Sequence, residues 1–323
     1  MPVNKLIVLS RKLIKGWEQF WFKFDASLPL SFIRIILGII LLWHSIDRSQ
    51  FLDIYYKDAG LVKRADSLLL MLDFYRPHFS FFIWPESTIS VVNYLLIFLI
   101  VLMILGVGGR VVLFLVWFVN LSFMQRNYAL LFGADLVANI FLFYLMFTNS
   151  GRYLSIMHLI KKPKKVVISE FDLVVTSAFA RLIQIQLCII YFYTGMEKLR
   201  GSSWWDGTAL WTVLANPQMV LFDFSWLKSF SWLIVAGTYT TILFEVYFAP
   251  LVWNKKMRPY ILSAGVVFHS GIGIVMALYT FALIMIAPYF LFVDLVKLEK
   301  VHSYIMARGT VLRKNLKMRH ILK

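Results

Sequence analysis

Five ionisable side chains lie inside long apolar runs of the sequence, where they could do chemistry or pair with one another. They are Arg34, Asp135, Arg181, Glu245 and His269. A charged group at the centre of a bilayer costs at least about 2.5–3.5 kcal/mol on insertion scales, so such residues default to functional or paired roles. His44, near the end of the first apolar run, is a marginal addition.

Arg181, Glu245 and His269 fall on three consecutive apolar segments. At about 1.5 Å per helical residue, all three lie roughly 12–13 Å from the inner ends of their segments. A paired arginine and glutamate is the least costly way to bury both charges. The spacing therefore predicts an Arg181–Glu245 salt bridge with His269 beside it. The alternative is a polar functional site at this depth.

Asp135 begins a polar stripe that includes Asn139 one helical turn later. Gln184 and Gln186, on the following apolar segment, could hydrogen-bond to this stripe. The pattern favours hydrogen bonding between helices over a role in chemistry.

The strongest local motif is TGMEKLRGSSWWDGTAL, residues 194–210. Lys198 is flanked by Glu197 and by two glycines, Gly195 and Gly201, and Trp204, Trp205 and Asp206 follow. Desolvation at a membrane interface favours a neutral amine, which a catalytic base requires. The alternative is an interfacial anchor whose ammonium reaches the headgroups. From the residues alone the anchor is favoured.

The composition shows which elements must position these residues. The chain has 323 residues, 60% hydrophobic and only 15% charged, with a mean hydropathy of +0.74. Soluble domains average about 45–50% apolar and about 25% charged residues. The sequence therefore predicts an all-α, polytopic membrane bundle of about eight transmembrane helices. The predicted spans are 28–46, 88–106, 111–124, 129–148, 172–195, 229–253, 260–277 and 278–296.

The loop charges predict the orientation. With both termini in the cytoplasm, inner segments hold 22 Lys and Arg residues and outer segments hold 9. This agrees with the positive-inside rule, and the net charge of +16 then needs no nucleic-acid partner.

Three regions follow from this topology. Residues 1–27 form a basic amphipathic helix predicted to lie on the inner bilayer surface. Residues 28–296 form the transmembrane domain, whose two four-helix halves are joined by 149–171. Residues 297–323 form a basic cytoplasmic tail.

Several chemistries are excluded by the residue inventory. Cys188 is the only cysteine, so the chain can form neither an intramolecular disulfide nor a cysteine-based zinc site. The six histidines are scattered without metal-ligand spacing, so no metal site is expected.

The motif around Lys198 resembles the HTTM family, which contains the membrane domains of vitamin K-dependent gamma-carboxylases. GADLVANI (133–140), FEVYFAPLVW (244–253) and FHSGIGIVM (268–276) extend the likeness over roughly residues 25–296. The resemblance implies that Lys198 is the base that deprotonates a hydroquinone such as that of vitamin K. It also implies that His269 supports this chemistry. Trp204 and Gly207 match the family's Trp-x-x-Gly, with Asp206 in place of its glutamate.

Carboxylases carry a large extracytoplasmic domain, whereas this chain ends in a basic tail, so full carboxylase activity is not expected. Its size resembles more closely the membrane subunits of bacterial sporulation-delaying peptide systems. That likeness implies a bacterial multi-pass membrane protein that helps to mature or release a secreted peptide toxin. Its partners would be the bilayer, the peptide precursor and a small protein of the same system. The alternatives are a membrane enzyme using Lys198 on a lipid-soluble substrate and a transporter or scaffold.

Overall fold

The computed structural model describes residues 3–70, 84–157 and 169–304, and within these ranges the elements are helices joined by turns and loops, without a strand. The helices are α1 Val3–Phe22, α2 Ser27–Gln50, α3 Leu52–Tyr55, α4 Arg64–Leu70, α5 Glu86–Leu105, α6 Gly109–Arg126, α7 Gly133–Leu145, α8 Glu170–Lys198, α9 Ser202–Trp205, α10 Ala209–Leu214, α11 Ser231–Trp253, α12 Arg258–Met276, α13 Tyr279–Ile286 and α14 Leu295–Tyr304. Short 3₁₀ turns occupy Tyr128–Leu130, Ser225–Phe230 and Ala287–Leu291.

The all-helical membrane architecture is confirmed. Five helical stretches are long and apolar enough to cross a bilayer, or six if a bent pair counts as one span. Each predicted span coincides with a helical region, but α7 has only 13 residues. The count of eight and the cytoplasmic placement of both termini stay predictions, as does the division into three regions. The residues of the 149–171 linker from 158 to 168, and those of the tail from 305, lie outside the described ranges.

The predicted last span, 278–296, is not one straight helix. It consists of α13 and the 3₁₀ turn Ala287–Leu291, and the chain then bends by 111° into α14. Pro288 lies where α13 gives way to the 3₁₀ turn, and it has no backbone N–H to donate to the preceding helical turn. Tyr289, the next residue, is buried inside the bundle.

The predicted amphipathic helix exists as α1 and packs against α8. The backbone N–H of Phe24, just after α1, donates to Ser177 Oγ over 2.8 Å. Trp17 and Leu13 are largely exposed, as expected for an apolar face that would enter lipid. Its position on the inner bilayer surface stays a prediction.

Arg34, predicted to need a partner, is buried and bonded to backbone carbonyls. Its guanidinium donates to the carbonyl oxygens of Ser150 and Leu154, the second at 2.7 Å. It therefore fixes the chain that follows α7 against α2.

Candidate functional site

The site is built around an ion pair between Lys198, the last residue of α8, and Glu245 on α11. Lys198 Nζ lies 2.7 Å from one carboxylate oxygen of Glu245 and 2.9 Å from the other. The Glu245 side chain is only 8% exposed and that of Lys198 is 23% exposed. Both charged groups are therefore largely shielded from water. Removal of either side chain would leave the other charge without a partner.

A glycine brings the two helices together at this level. A Cβ atom on Gly195 would lie 2.9 Å from Val246 Cγ2 and 3.2 Å from Glu245 Cβ. No larger residue fits without moving α11, so Gly195 sets the short distance that lets Lys198 reach Glu245.

The segment after Lys198 folds back along α11. Thr238 Oγ1 donates to Gly207 O and accepts from Leu210 N, each over 3.1 Å. The hydroxyl of Tyr239 donates to Trp205 O over 2.6 Å. Gly207 has a φ of +72°, a left-handed conformation that glycine adopts without strain.

The ion pair lies beside the middle of α11. Glu245 is 14 residues from Ser231 and 8 residues from Trp253, the two ends of that helix. Lys198 ends α8 and lies alongside the interior of α11, and its place at the membrane interface stays a prediction. The ring of Trp204 covers it, with Nζ 5.4 Å from the ring centroid.

The other residues predicted in this motif have local roles. Trp205 is 61% exposed, and its indole Nε1 donates to Leu199 O over 2.7 Å. Asp206 follows α9 directly, and its backbone N–H donates to Ser202 O over 2.9 Å.

His269, on α12, belongs to a second polar cluster. This cluster meets α8 at Tyr191, on the N-terminal side of Lys198. The Nε2 of His269 lies 2.6 Å from the hydroxyl of Tyr191, which in turn lies 2.5 Å from the hydroxyl of Tyr289. All three side chains are buried. Tyr191 precedes Lys198 by seven residues, so the two clusters lie on one face of α8 and about 10 Å apart along its axis.

Aromatic packing and one glycine enclose this second cluster. Phe244 and Phe248 pack against the ring of Tyr191, with centroids 5.3 and 4.1 Å away. A Cβ atom on Gly265 would collide with the hydroxyl of Tyr289, so only glycine leaves room for that group.

The predicted salt bridge between Arg181 and Glu245 is wrong. Arg181 Nε donates to Phe20 O over 2.8 Å and its Nη1 donates to Gln184 over the same distance. Its guanidinium also stacks on the rings of Phe20 and Phe24. Axial depth alone could not show that Arg181 lies on a different side of α8 from Lys198, towards α1.

Asp135 is placed at the start of α7 and not in a stripe served by α8. Its carboxylate accepts from the backbone N–H of Phe132 and lies 3.7 Å from His44 Nδ1. Asn139 meets Asn120 of α6. Gln186 does reach α7, but there it accepts from the hydroxyl of Tyr144.

The geometry of the ion pair limits its chemistry. Lys198 Nζ donates to the Glu245 carboxylate, so the amine is directed at Glu245 in this structure, and we derive no step through a quinone. Within the described residues, no group of three or more His, Cys, Asp or Glu side chains could hold a metal ion.

Comparison of the sequence with protein-family models shows which family the chain belongs to. The model of the HTTM domain matches residues 23–295, which includes both polar clusters. The chain belongs to the HTTM family. The family resemblance seen in the sequence is thereby confirmed.

Two curated relatives of this HTTM protein come from Bacillus subtilis (strain 168). Sporulation-delaying protein SdpB is 24% identical over 204 residues, which cover 61% of this chain and 62% of SdpB. The protein YitO is 25% identical over 251 residues, or 73% of this chain and 78% of YitO. The matched part thus spans less than two thirds of SdpB. No solved structure matches this HTTM protein.

Family, relatives and apolar helices together identify a multi-pass bacterial membrane protein. Sequence reasoning identified Lys198, Glu245 and His269 but not Tyr191 or Tyr289. The seven-residue spacing between Tyr191 and Lys198 is a signal that could have found Tyr191, because it places both on one face of α8. Tyr289 lies in the 3₁₀ turn Ala287–Leu291, within an apolar run that was predicted as one continuous span.

Proposed function

We propose that this protein is required for the maturation or release of a secreted peptide toxin, acting in the bacterial membrane with a partner protein of the same system. The relationship to SdpB, a sporulation-delaying protein, supports this role. The observation that supports a functional site for this role is the Lys198–Glu245 ion pair beside the middle of α11.

The ion pair suits contact with a peptide better than proton abstraction. A peptide that leaves the membrane presents backbone carbonyl and amide groups that need partners in an apolar setting. The ammonium of Lys198 has three donors and the carboxylate of Glu245 is acceptor-only, so together they match both kinds of group. In this proposal the site needs a charged pair at this position.

The rival role is a membrane enzyme in which Lys198 is a base on a lipid-soluble substrate. Arginine separates the two roles, because it keeps the positive charge but does not give up its proton in proteins. Retained function in a Lys198→Arg variant supports the charged pair. Lost function with normal folding would support the base.

Deletion of the gene tests the overall role. Peptides released into the medium are compared by mass spectrometry between the parent strain, the deletion strain and the complemented strain. We expect at least one secreted peptide to be lost, or to persist only as a precursor, and to return on complementation. An unchanged peptide profile would contradict the proposal.

A further inference from the structure

Two arginines meet at the end of the bundle where α11 passes into α12. The guanidinium carbon of Arg181, on α8, lies 5.8 Å from the ring centroid of Trp253, the last residue of α11. Nη2 of Arg258, the first residue of α12, lies 3.5 Å from the backbone carbonyl oxygen of the same tryptophan. The two cations are near enough to repel each other electrostatically.

The two arginines form no ion pair within the described part of the chain. Asp25, after α1, pairs with Arg152 instead. Asp294, before α14, accepts from the backbone N–H of Val296. Glu18 of α1 is exposed to solvent. Two neighbouring cations thus share a partly buried position without a counter-charge, which is unfavourable unless an anion joins them.

Both guanidinium groups have N–H donors available to a ligand. Arg181 uses Nε for Phe20 O and Nη1 for Gln184 Oε1, so its Nη2 has no hydrogen bond to the residues that the structure describes. This Nη2 also retains accessible surface, because it is not among the fully buried polar atoms that lack a bond. The bonds from Nη1 and Nη2 of Arg258 are 3.5 Å long and therefore weak. Since both side chains are only partly buried, a ligand can reach these donors.

The arginine pair lies at the level where lipid headgroups are expected. Both α11 and α12 are long and apolar enough to cross a bilayer. The turn between them carries the exposed residues Lys255 and Lys256, which are too costly to place in hydrocarbon. This turn therefore faces the headgroup region, and Arg258 follows it directly. The exposed rings of Trp17 on α1 and Tyr260 on α12 are typical of the same region.

We propose that Arg181 and Arg258 together bind the phosphate group of an anionic phospholipid, between α1, α8 and the turn that joins α11 to α12. The phosphodiester supplies the missing negative charge and accepts from the available N–H groups of both guanidinium forks. Basic pockets between membrane helices bind anionic headgroups in this way. The acyl chains would lie along the exposed apolar face of α12 that begins at Tyr260 and includes Val267. The proposal does not depend on the role of the Lys198–Glu245 pair.

Native mass spectrometry of the purified full-length protein in detergent tests the proposal, with dioleoyl-phosphatidylglycerol as the probe. We expect one tightly bound lipid per chain, and binding of dioleoyl-phosphatidylcholine that is at least tenfold weaker, because its headgroup has no net charge. Inorganic phosphate at millimolar concentration distinguishes the two sources of a phosphate group, and we expect it to leave the lipid bound. Displacement of the lipid by inorganic phosphate would assign the site to the free ion and overturn the lipid assignment.

Variants assign the binding to the arginine pair. Arg181→Gln with Arg258→Gln removes both charges, and we expect binding of phosphatidylglycerol to weaken at least tenfold. Arg11→Gln with Lys12→Gln is the charge-matched control, because both residues are exposed on α1 and lie more than two helical turns before Phe20. Normal elution in size-exclusion chromatography shows that each variant is folded. If the glutamine variant does not fold, Arg181→Lys with Arg258→Lys keeps both charges but loses the forked donors, and should weaken binding at least threefold.

Three further results would overturn the proposal. The first is equal binding of phosphatidylglycerol and phosphatidylcholine. The second is wild-type binding of phosphatidylglycerol by a folded glutamine or lysine variant of the arginine pair. The third is an equal loss of binding in the Arg11 and Lys12 control, which would show a diffuse attraction to the basic surface instead of a site.

Discussion

Lys198 and Glu245 form a two-point ion pair that joins the end of α8 to the middle of α11, with contacts of 2.7 and 2.9 Å. The two helices approach closely at Gly195, next to the pair. The ring of Trp204, in the segment after α8, covers Lys198. The Lys198–Glu245 pair is the only ion pair found between α8 and α11 in the described part of the chain.

The first prediction concerns the coupling between these two residues. Lys198→Met leaves the buried carboxylate of Glu245 uncompensated and should destabilise the protein by about 3–5 kcal/mol. Glu245→Leu should cost less, because the more exposed lysine can reach water. The double variant should recover much of the loss in the free energy of unfolding, measured by titration with SDS. Simple addition of the two single losses would show that the residues are not coupled.

The second prediction concerns the buried hydroxyl of Tyr191. Tyr191→Phe leaves both His269 Nε2 and the Tyr289 hydroxyl without their bonds to Tyr191, which should cost about 2–6 kcal/mol since each unsatisfied group costs about 1–3 kcal/mol. Tyr289→Phe removes only the hydrogen bond between the two tyrosine hydroxyls and leaves that between Tyr191 and His269, so it should cost about half as much. Thermal unfolding in detergent compares the two. A larger effect from Tyr289→Phe would contradict the central position of Tyr191.

The sequence predicted the helical membrane fold and three of the site residues because both follow from composition and from charges in apolar runs. It could not pair them correctly. Counting along a helix gives depth but not the side of the helix, so Arg181 was assigned to Glu245 although it meets Phe20. Lys198 does end α8, but its contact with Glu245 could not be predicted, because the close approach of α8 to α11 depends on tertiary packing such as that of Gly195 against Val246.

The third prediction concerns Arg126, which holds residues 56–67 through its hydrogen bonds. Its buried guanidinium donates to Tyr56 O over 2.6 Å and to Val62 O over 3.0 Å. Hydrogen bonds to charged groups are worth about 1.5–3 kcal/mol each, so Arg126→Gln should increase proteolysis between residues 50 and 70. Arg110→Gln is the control, because its pair with Asp172 is more exposed and worth about 0–1 kcal/mol. Equal protection in both variants would refute this role.

The fourth prediction concerns topology. The division of basic residues, 22 in the predicted inner segments against 9 in the outer ones, predicts that both termini lie in the cytoplasm. Reporters fused after residue 160 and at the C-terminus should report cytoplasm, and a reporter within 50–85 should report the outside. An external C-terminus would contradict the eight-span arrangement.

The most direct test of the central claim is the amount of mature peptide in the medium of the deletion strain, measured by mass spectrometry after complementation with Lys198 variants at equal membrane levels. Lys228→Met is the matched control, because Lys228 also lies over a tryptophan, 5.8 Å from the ring centroid of Trp211, but outside the ion pair. The account predicts wild-type amounts with Lys198→Arg and Lys228→Met and loss with Lys198→Met. Wild-type amounts with Lys198→Met, or loss with a folded Lys198→Arg, would contradict it.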